Sequence, residues 1–550
     1  MNRIYGVAIA LFLALLVFLF ASWGEEPDFA PGTKVFRFPL DSNPPSLDPA
    51  MITDVTSDGV GQRMYNTLLR FDRELNLIPE LASEMPIWDA KDNSYTFKLR
   101  TNVTFHNGRR MTAADVKYSW ERLLDPDVSK RTEILAPVLG AQEKIDGKTK
   151  TTPGIQVLDE FTLKVLLTGP NPTFLYQIAM ICAAVIPHEG VEAAEKSGHS
   201  FSNRPVGTGP FKLVEWIHNR KLVFVAHEQY FKGRPKLDGL LYQVIPSAQV
   251  RLDRFLKREF EVSDIPFGQY KKISEQHKEL TNSNPALRTN YLGILMNRKD
   301  TNGKIVPVEP LGSNPKLRQA INCAINREHL TKVILEGRGQ PANSILPPGM
   351  HGHDPQLKGW TYDVPKARAL LAEAGYPDGN GLEPIDLYYR KDDDIERVVV
   401  AIQNDLKAAG IPIELRSLEW GTFLQKMYGG DPPKLFYLGW VADFPDPDNF
   451  LYWLFHTSQW GEPGNETHYS NPRVDELTTK ARLLMDQPER LKLYNEAEKI
   501  IVGDCPWILL EWRTNVILLQ PYVKAVREQL NPLDVGAGLN QVDFSKVEME

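Results

Sequence analysis

In the first half of the chain, apolar positions fall mostly at every second residue, the period of a half-buried strand. The stretch 34–40 reads as a strand, followed by a turn built on Asn43-Pro-Pro. Tyr95, Phe97 and Leu99 alternate with polar partners, and 155–158 with 161–167 read as a hairpin around Asp159-Glu160. Thr112-Ala-Ala-Asp115 has the spacing of a capping box. Val116, Trp120, Leu123 and Leu124 follow at helical spacing until Asp125-Pro126. Further strands are predicted at 211–216, 222–226 and 240–245. After about residue 290 the pattern changes to alternating helix and strand. Leu317, Ala320, Ile321, Ala324 and Ile325 form one apolar face, and Asp363 with Pro365 opens the next helix. A strand at 385–389, a helix at 395–409 stopped by Gly410, and strands at 411–415 and 435–442 follow. This alternation predicts an α/β unit, a largely parallel sheet covered by helices on both faces. The segment 507–519 returns to strand-like composition.

The N-terminus breaks the pattern. Asn2 and Arg3 precede an unbroken apolar or small run at 4–21, at the lower edge of what spans a hydrocarbon core and long for a cleaved signal. Residues 1–24 therefore read as an export signal or a retained membrane anchor. No Cys follows the run, so a lipoprotein anchor is excluded. The 550 residues suggest two to four domains. Lys+Arg 63 against Asp+Glu 70 leaves a net charge of −7, with no basic excess to neutralise nucleic-acid phosphates. Cys182, Cys323 and Cys505 lie far apart in apolar stretches and read as small core residues.

Enzyme signatures are mostly missing. Gly147-Lys-Thr149 ends like a phosphate-binding loop, but Gln142 stands at the first glycine position. Gly198-His-Ser200 is one glycine short of a nucleophile elbow. His227-Glu228 lacks the second His of a zincin helix, and His351-Gly-His353 has no Cys or carboxylate pair beside it. One carboxylate cluster stands out, in Gly439-Trp-Val-Ala-Asp443-Phe-Pro-Asp446-Pro-Asp448. Asp443 follows an apolar strand, where ligands of α/β sheets gather. Gly439 offers backbone and Trp440 an apolar face, which with the carboxylate suits an extended cationic or amino-terminated ligand. The competing readings are a calcium loop, disfavoured by Pro445 and Pro447, and a solvated acidic turn.

Several ordered segments resemble one family. They are Pro79-Glu-Leu-Ala-Ser-Glu, Tyr95-Thr-Phe-Lys-Leu-Arg100, Phe105-His-Asn-Gly108, Met111-Thr-Ala-Ala-Asp115 through Trp120, and Val206-Gly-Thr-Gly-Pro-Phe211. Ser46-Leu-Asp-Pro49, Leu317-Arg-Gln-Ala-Ile321 with Asn326-Arg, and Gly439-Trp-Val-Ala-Asp443 complete the set. Together they are similar to the peptide-type extracytoplasmic solute-binding proteins of ABC importers, the oligopeptide, dipeptide and nickel receptors. The resemblance implies a two-lobed periplasmic-binding-protein fold of the class II type. Lobe one would take 30–290 plus 510–550, with an extra subdomain at about 73–205, and lobe two 291–509. It implies that Asp443 pairs with a peptide's α-ammonium and that backbone at Gly439, Val441 and Val55, the last in a loop, bonds the peptide main chain. It further implies that Arg390 meets the C-terminal carboxylate. Tyr437 stands where oligopeptide-type relatives carry an Arg. The expected partners are a peptide and the membrane permease subunits, with the receptor a monomer that needs no cofactor and binds no nucleic acid. A metal chelate or sugar as ligand is the alternative within the class; an exported hydrolase is the alternative outside it.

Overall fold

The structure, a computed structural model, describes residues 29–550 apart from 267, 462–463, 531–538 and 540–541. The apolar run at 4–21 lies outside the described residues. Among those described, no helix is long and apolar enough to cross a membrane.

Three larger sheets organise the chain. The first, in the order Val35–Leu40, Gly239–Val244, Lys221–Ala226, Phe211–Ile217, follows the predicted strands within a residue or two. Phe36 and Phe38 are buried, and Phe38 stacks on Tyr242 with centroids 4.3 Å apart. The second sheet orders Ile87–Asp89, Ser94–Lys98, Thr162–Leu166 and Ile155–Asp159 and includes the predicted hairpin. Helix Ala113–Leu123 belongs with it. Its capping box is present, with the Asp115 carboxylate accepting the Thr112 N–H at 2.8 Å. Trp120 is fully buried and meets the rings of Phe97 and Phe174 edge-on.

The third sheet runs Val262–Ser263, Trp507–Leu519, Thr281–Ile294, Leu435–Val441, Ile385–Arg390, Ile413–Leu418, with Gly339–Pro341 also pairing on Trp507–Leu519. It is mixed, which corrects the expectation of a largely parallel sheet. Only the pairings among Leu435–Val441, Ile385–Arg390 and Ile413–Leu418 are parallel. The rest are antiparallel because two long strands, of 14 and 13 residues, run past each other in opposite directions. At about 3.3 Å per residue each reaches roughly 45 Å. One end of the pair lies beside Val262–Ser263 and the other beside Leu435–Val441, so these strands carry the chain between the two halves of the molecule. Their register shifts between Pro285 and Thr289, and again between Asn290 and Tyr291. Pro285 has no N–H to give the ladder, which weakens the pairing where the crossing needs to bend.

The strand expected at 411–415 is Ile413–Leu418. Gly410 adopts φ 91°, and the Ile411 N–H turns back to Leu406 O at 2.9 Å, which closes helix Asp393–Ala408 before extension begins. All three cysteines are buried and free, as their apolar neighbours indicated.

Candidate ligand cleft

Leu435–Val441 is the strand on which the site is built. The Leu295 N–H donates to Lys434 O (3.0 Å) at one end, and the Ala442 N–H to Leu287 O (2.8 Å) at the other. Bonding alternates along an antiparallel ladder, so the even-numbered residues face Thr281–Ile294. Tyr437, Gly439 and Val441 therefore turn their backbone groups the other way. On that side Ile385–Arg390 pairs only at Leu387↔Leu435 and Tyr388↔Phe436, although both strands continue. The two strands splay, and the backbone edge at Gly439 and Val441 opens. Glycine is required at 439 by close approach: a Cβ there would sit 1.8 Å from Asn290 Oδ1 and 3.0 Å from Arg288 Nε and Nη2.

Asp443 follows directly, and Asn449 fixes it. The Asn449 amide oxygen accepts from the Asp443 backbone N–H (2.9 Å) and from Trp440 Nε1 (3.0 Å), while its Nδ2 donates to Asp443 Oδ2 (3.2 Å). Asp446 and Asp448, which the sequence left open as calcium ligands or a solvated turn, are 3% and 0% exposed. Arg490 holds Asp446 through two bonds of 2.6 and 2.5 Å. Asp448 accepts from Tyr494 Oη (2.7 Å) and Trp453 Nε1 (3.2 Å), with Arg482 3.0 Å away. These two carboxylates anchor the loop inward and leave Asp443 to face the cleft.

The opposite wall comes from the first half of the chain. Asp54, Val55, Asp58 and Arg131 line a cleft together with Val441, Ala442 and Asp443. Val55 is the first residue of helix Val55–Met64 rather than part of a loop, because Asp54 caps the Ser57 N–H at 2.9 Å. Arg131 Nη2 stands 3.4 Å from Asp443 Oδ2, and its Nε bonds Glu133 at 2.9 Å. Burial pushes the Asp54 and Glu133 carboxyls up from their ordinary range. Burial likewise pushes the Cys182 thiol, also in the wall, up to about 12, which keeps it protonated and a poor nucleophile. Three carboxylates against one guanidinium give the cleft a negative character that favours a cationic group.

Asp443, Val441 and Val55 thus meet in one cleft, with Gly439 and Trp440 immediately up the strand. Arg390 stands apart: it pairs with Asp392 (3.1 Å) and with Asp41 from the other half of the chain (3.6 Å), its guanidinium 5.7 Å over the Trp420 ring. Tyr437 is buried. Arg131 and Asn449 were not found from the sequence. Asn449 ends the Asp-rich loop and carried a local signal; Arg131 carried none.

Two halves that meet along crossing strands and enclose a cleft define a two-lobed binding protein. Residues 76–462 match the bacterial extracellular solute-binding proteins, family 5 (Middle), and the chain belongs to that family. It is 29% identical to a di/tripeptide-binding protein 2 of Pseudomonas aeruginosa, over 85% of this chain and 87% of that protein. It is also 29% identical to a heme-binding protein A of Haemophilus influenzae, over 88% and 87% of the two chains. Among solved structures it resembles the ABC transporter-associated periplasmic binding protein DppA of Helicobacter pylori in complex with the peptide STSA. The TM-score there is 0.81 at 27% identity, covering 94% of this chain and 98% of that one.

Proposed function

We propose that the protein is an extracytoplasmic receptor that captures peptides in this cleft and hands them to the membrane subunits of an ABC importer. The reading rests on the open backbone edge at Gly439 and Val441 beside the Asp443 carboxylate. An extended peptide adds there as a strand, bonding through its main chain, with its α-ammonium at Asp443. Trp440 supplies an apolar wall and Val55 the facing contact. No bond is made or broken in the receptor, and it acts as a monomer. The peptide named with the Helicobacter relative and the di/tripeptide name of the Pseudomonas relative support this class of ligand. Residues 4–21 serve export, as a cleaved signal or a tether to the membrane.

The lobes on this reading are 30–290 with 510–550, carrying a subdomain at about 73–205, and 291–509. Arg131 with Asp443, Arg390 with Asp41, and the stacked rings of Tyr176 and Phe444 (6.1 Å) join the two sides, as suits a closed form. Ligand that touches both lobes favours closure by the difference between its affinities for the two forms. Native mass spectrometry of the protein with its carried-over ligand identifies the solute, and small-angle scattering follows closure. A released peptide and a radius of gyration that shrinks when it is added back are expected. A heme or sugar in place of peptide, or scattering curves that superimpose with and without saturating ligand, would refute the reading.

A further inference from the structure

One helix ties the Asp443 loop to the crossing strands. Along Gln487–Asp504, Arg490, Tyr494 and Glu498 recur every fourth residue, so they lie on one side of the helix at steps of about 6 Å. Arg490 and Tyr494 hold Asp446 and Asp448. Glu498 is fully buried and reaches a different segment. Its Oε1 accepts from the Ile345 and Leu346 backbone N–H groups, both at 2.8 Å. That segment lies across both crossing strands: Ile345 O accepts from Thr289 Oγ1 (2.8 Å) and Ser344 O from Trp512 Nε1 (3.2 Å). Thr289 and Trp512 are register partners, the first pair beyond the shift that follows Pro285. Thr289 is also the partner of Trp440 in the strand that opens the cleft.

On the two-lobed receptor reading above, we propose that Glu498 is a positioning residue for closure of the cleft. Through Ser344–Leu346 it staples both crossing strands just past their register shift, and the helix makes that staple and the Asp443 loop one rigid body. Bending is then confined to the shift, where three residues of one strand (286–288) stand against one of the other (513) and the ladder is weakest. Lobe two swings as a unit and carries Asp443 to the facing wall at a fixed angle. Without the staple, a ligand has to order the two strands as it binds, which lowers affinity for every ligand by the same factor. Among the described residues Glu498 Oε2 has no hydrogen-bond partner, so the staple uses a single acceptor oxygen, which a Gln amide also supplies.

The test compares Glu498→Gln, Glu498→Ala and Thr289→Val, the last removing the hydroxyl donor at nearly constant shape. Phe224→Leu, buried on the first sheet, controls for stability lost elsewhere. Calorimetry with trialanine and trileucine, melting temperature and amide hydrogen exchange are measured for each. In Glu498→Ala and in Thr289→Val, exchange over 283–291 and 508–515 should quicken at least tenfold, while 385–390 and 413–418 keep the wild-type rate. Affinity for both peptides should fall by one common factor, at least fivefold. The double variant should fall no further than the weaker-binding single, because one staple is lost once. Glu498→Gln should stay within twofold of wild type in affinity and exchange, and Phe224→Leu should lower the melting temperature while keeping both. Wild-type exchange in the crossing strands of Glu498→Ala, additive losses in the double variant, or a Gln variant as weak as the Ala variant would overturn the assignment. If Glu498→Ala does not fold, Thr289→Val carries the same expectations and the same refutation. Exchange needs no ligand, so a wild-type protein that binds neither peptide would overturn the peptide reading and leave the staple to be decided by exchange alone.

Discussion

Replacing Asp443 with Asn separates the charge of the site from its shape. The amide oxygen of the new side chain still accepts from Asn449 Nδ2, as Asp443 Oδ2 does at 3.2 Å, and the Asp443 backbone bond to Asn449 is untouched. What disappears is the negative charge offered to an α-ammonium. Hydrogen bonds to charged groups contribute about 1.5–3 kcal/mol. The Asp443 side chain is 27% exposed and already shares its charge with Arg131, so the lower half of that range applies. At about 1.4 kcal/mol per factor of ten, affinity for free-amine peptides should fall roughly 10- to 50-fold. Peptides blocked by N-acetylation have no ammonium to lose and should bind the variant and the wild type alike. A smaller cost falls on the free protein, because Arg131 keeps Glu133 as its partner. Calorimetry with trialanine and N-acetyl-trialanine, at one ionic strength, measures both effects as a ratio. An Asp443→Asn protein that still prefers the free amine as strongly as the wild type would refute the reasoning.

Two other substitutions probe the frame around the cleft. Asp446→Asn breaks the buried pair with Arg490, a loss of about 3 kcal/mol or more when one partner of such a pair is removed; urea unfolding should show it, and an unchanged midpoint would count against the anchoring role. Glu466 is 3% exposed, its Oε2 has no hydrogen-bond partner, and burial raises its carboxyl to about 8. The folded protein then holds a proton that the unfolded chain releases near its ordinary value. This contribution to stability is complete below that value and is lost as pH rises through about 8. Glu466→Gln should therefore flatten the decline in stability between about pH 5 and about pH 9, and equal declines in both proteins would reject this.

The sequence alone determined the local elements and the position of the Asp443 carboxylate. Alternation fixed the strands around Phe36, Tyr95 and Phe211, the Thr112–Asp115 spacing fixed a helix start, and the run into Gly439-Trp-Val-Ala-Asp443 placed an acid just past a strand end. These signals act within a few residues, through backbone preference and the burial of one face, so a short window contains them. The tertiary structure decided the rest. Arg131 meets Asp443 across 312 positions of sequence. Asp446 and Asp448, equivalent to Asp443 by composition, turn inward because Arg490, Arg482 and Tyr494 arrive from distant helices. The sheet is mixed because two long strands cross side by side, a pairing that hydrophobic period does not encode. Arg288 lies over Gly439 because the register sets it opposite Val441. Register and crossing are fixed only when remote segments pack together, and charge partners follow from them.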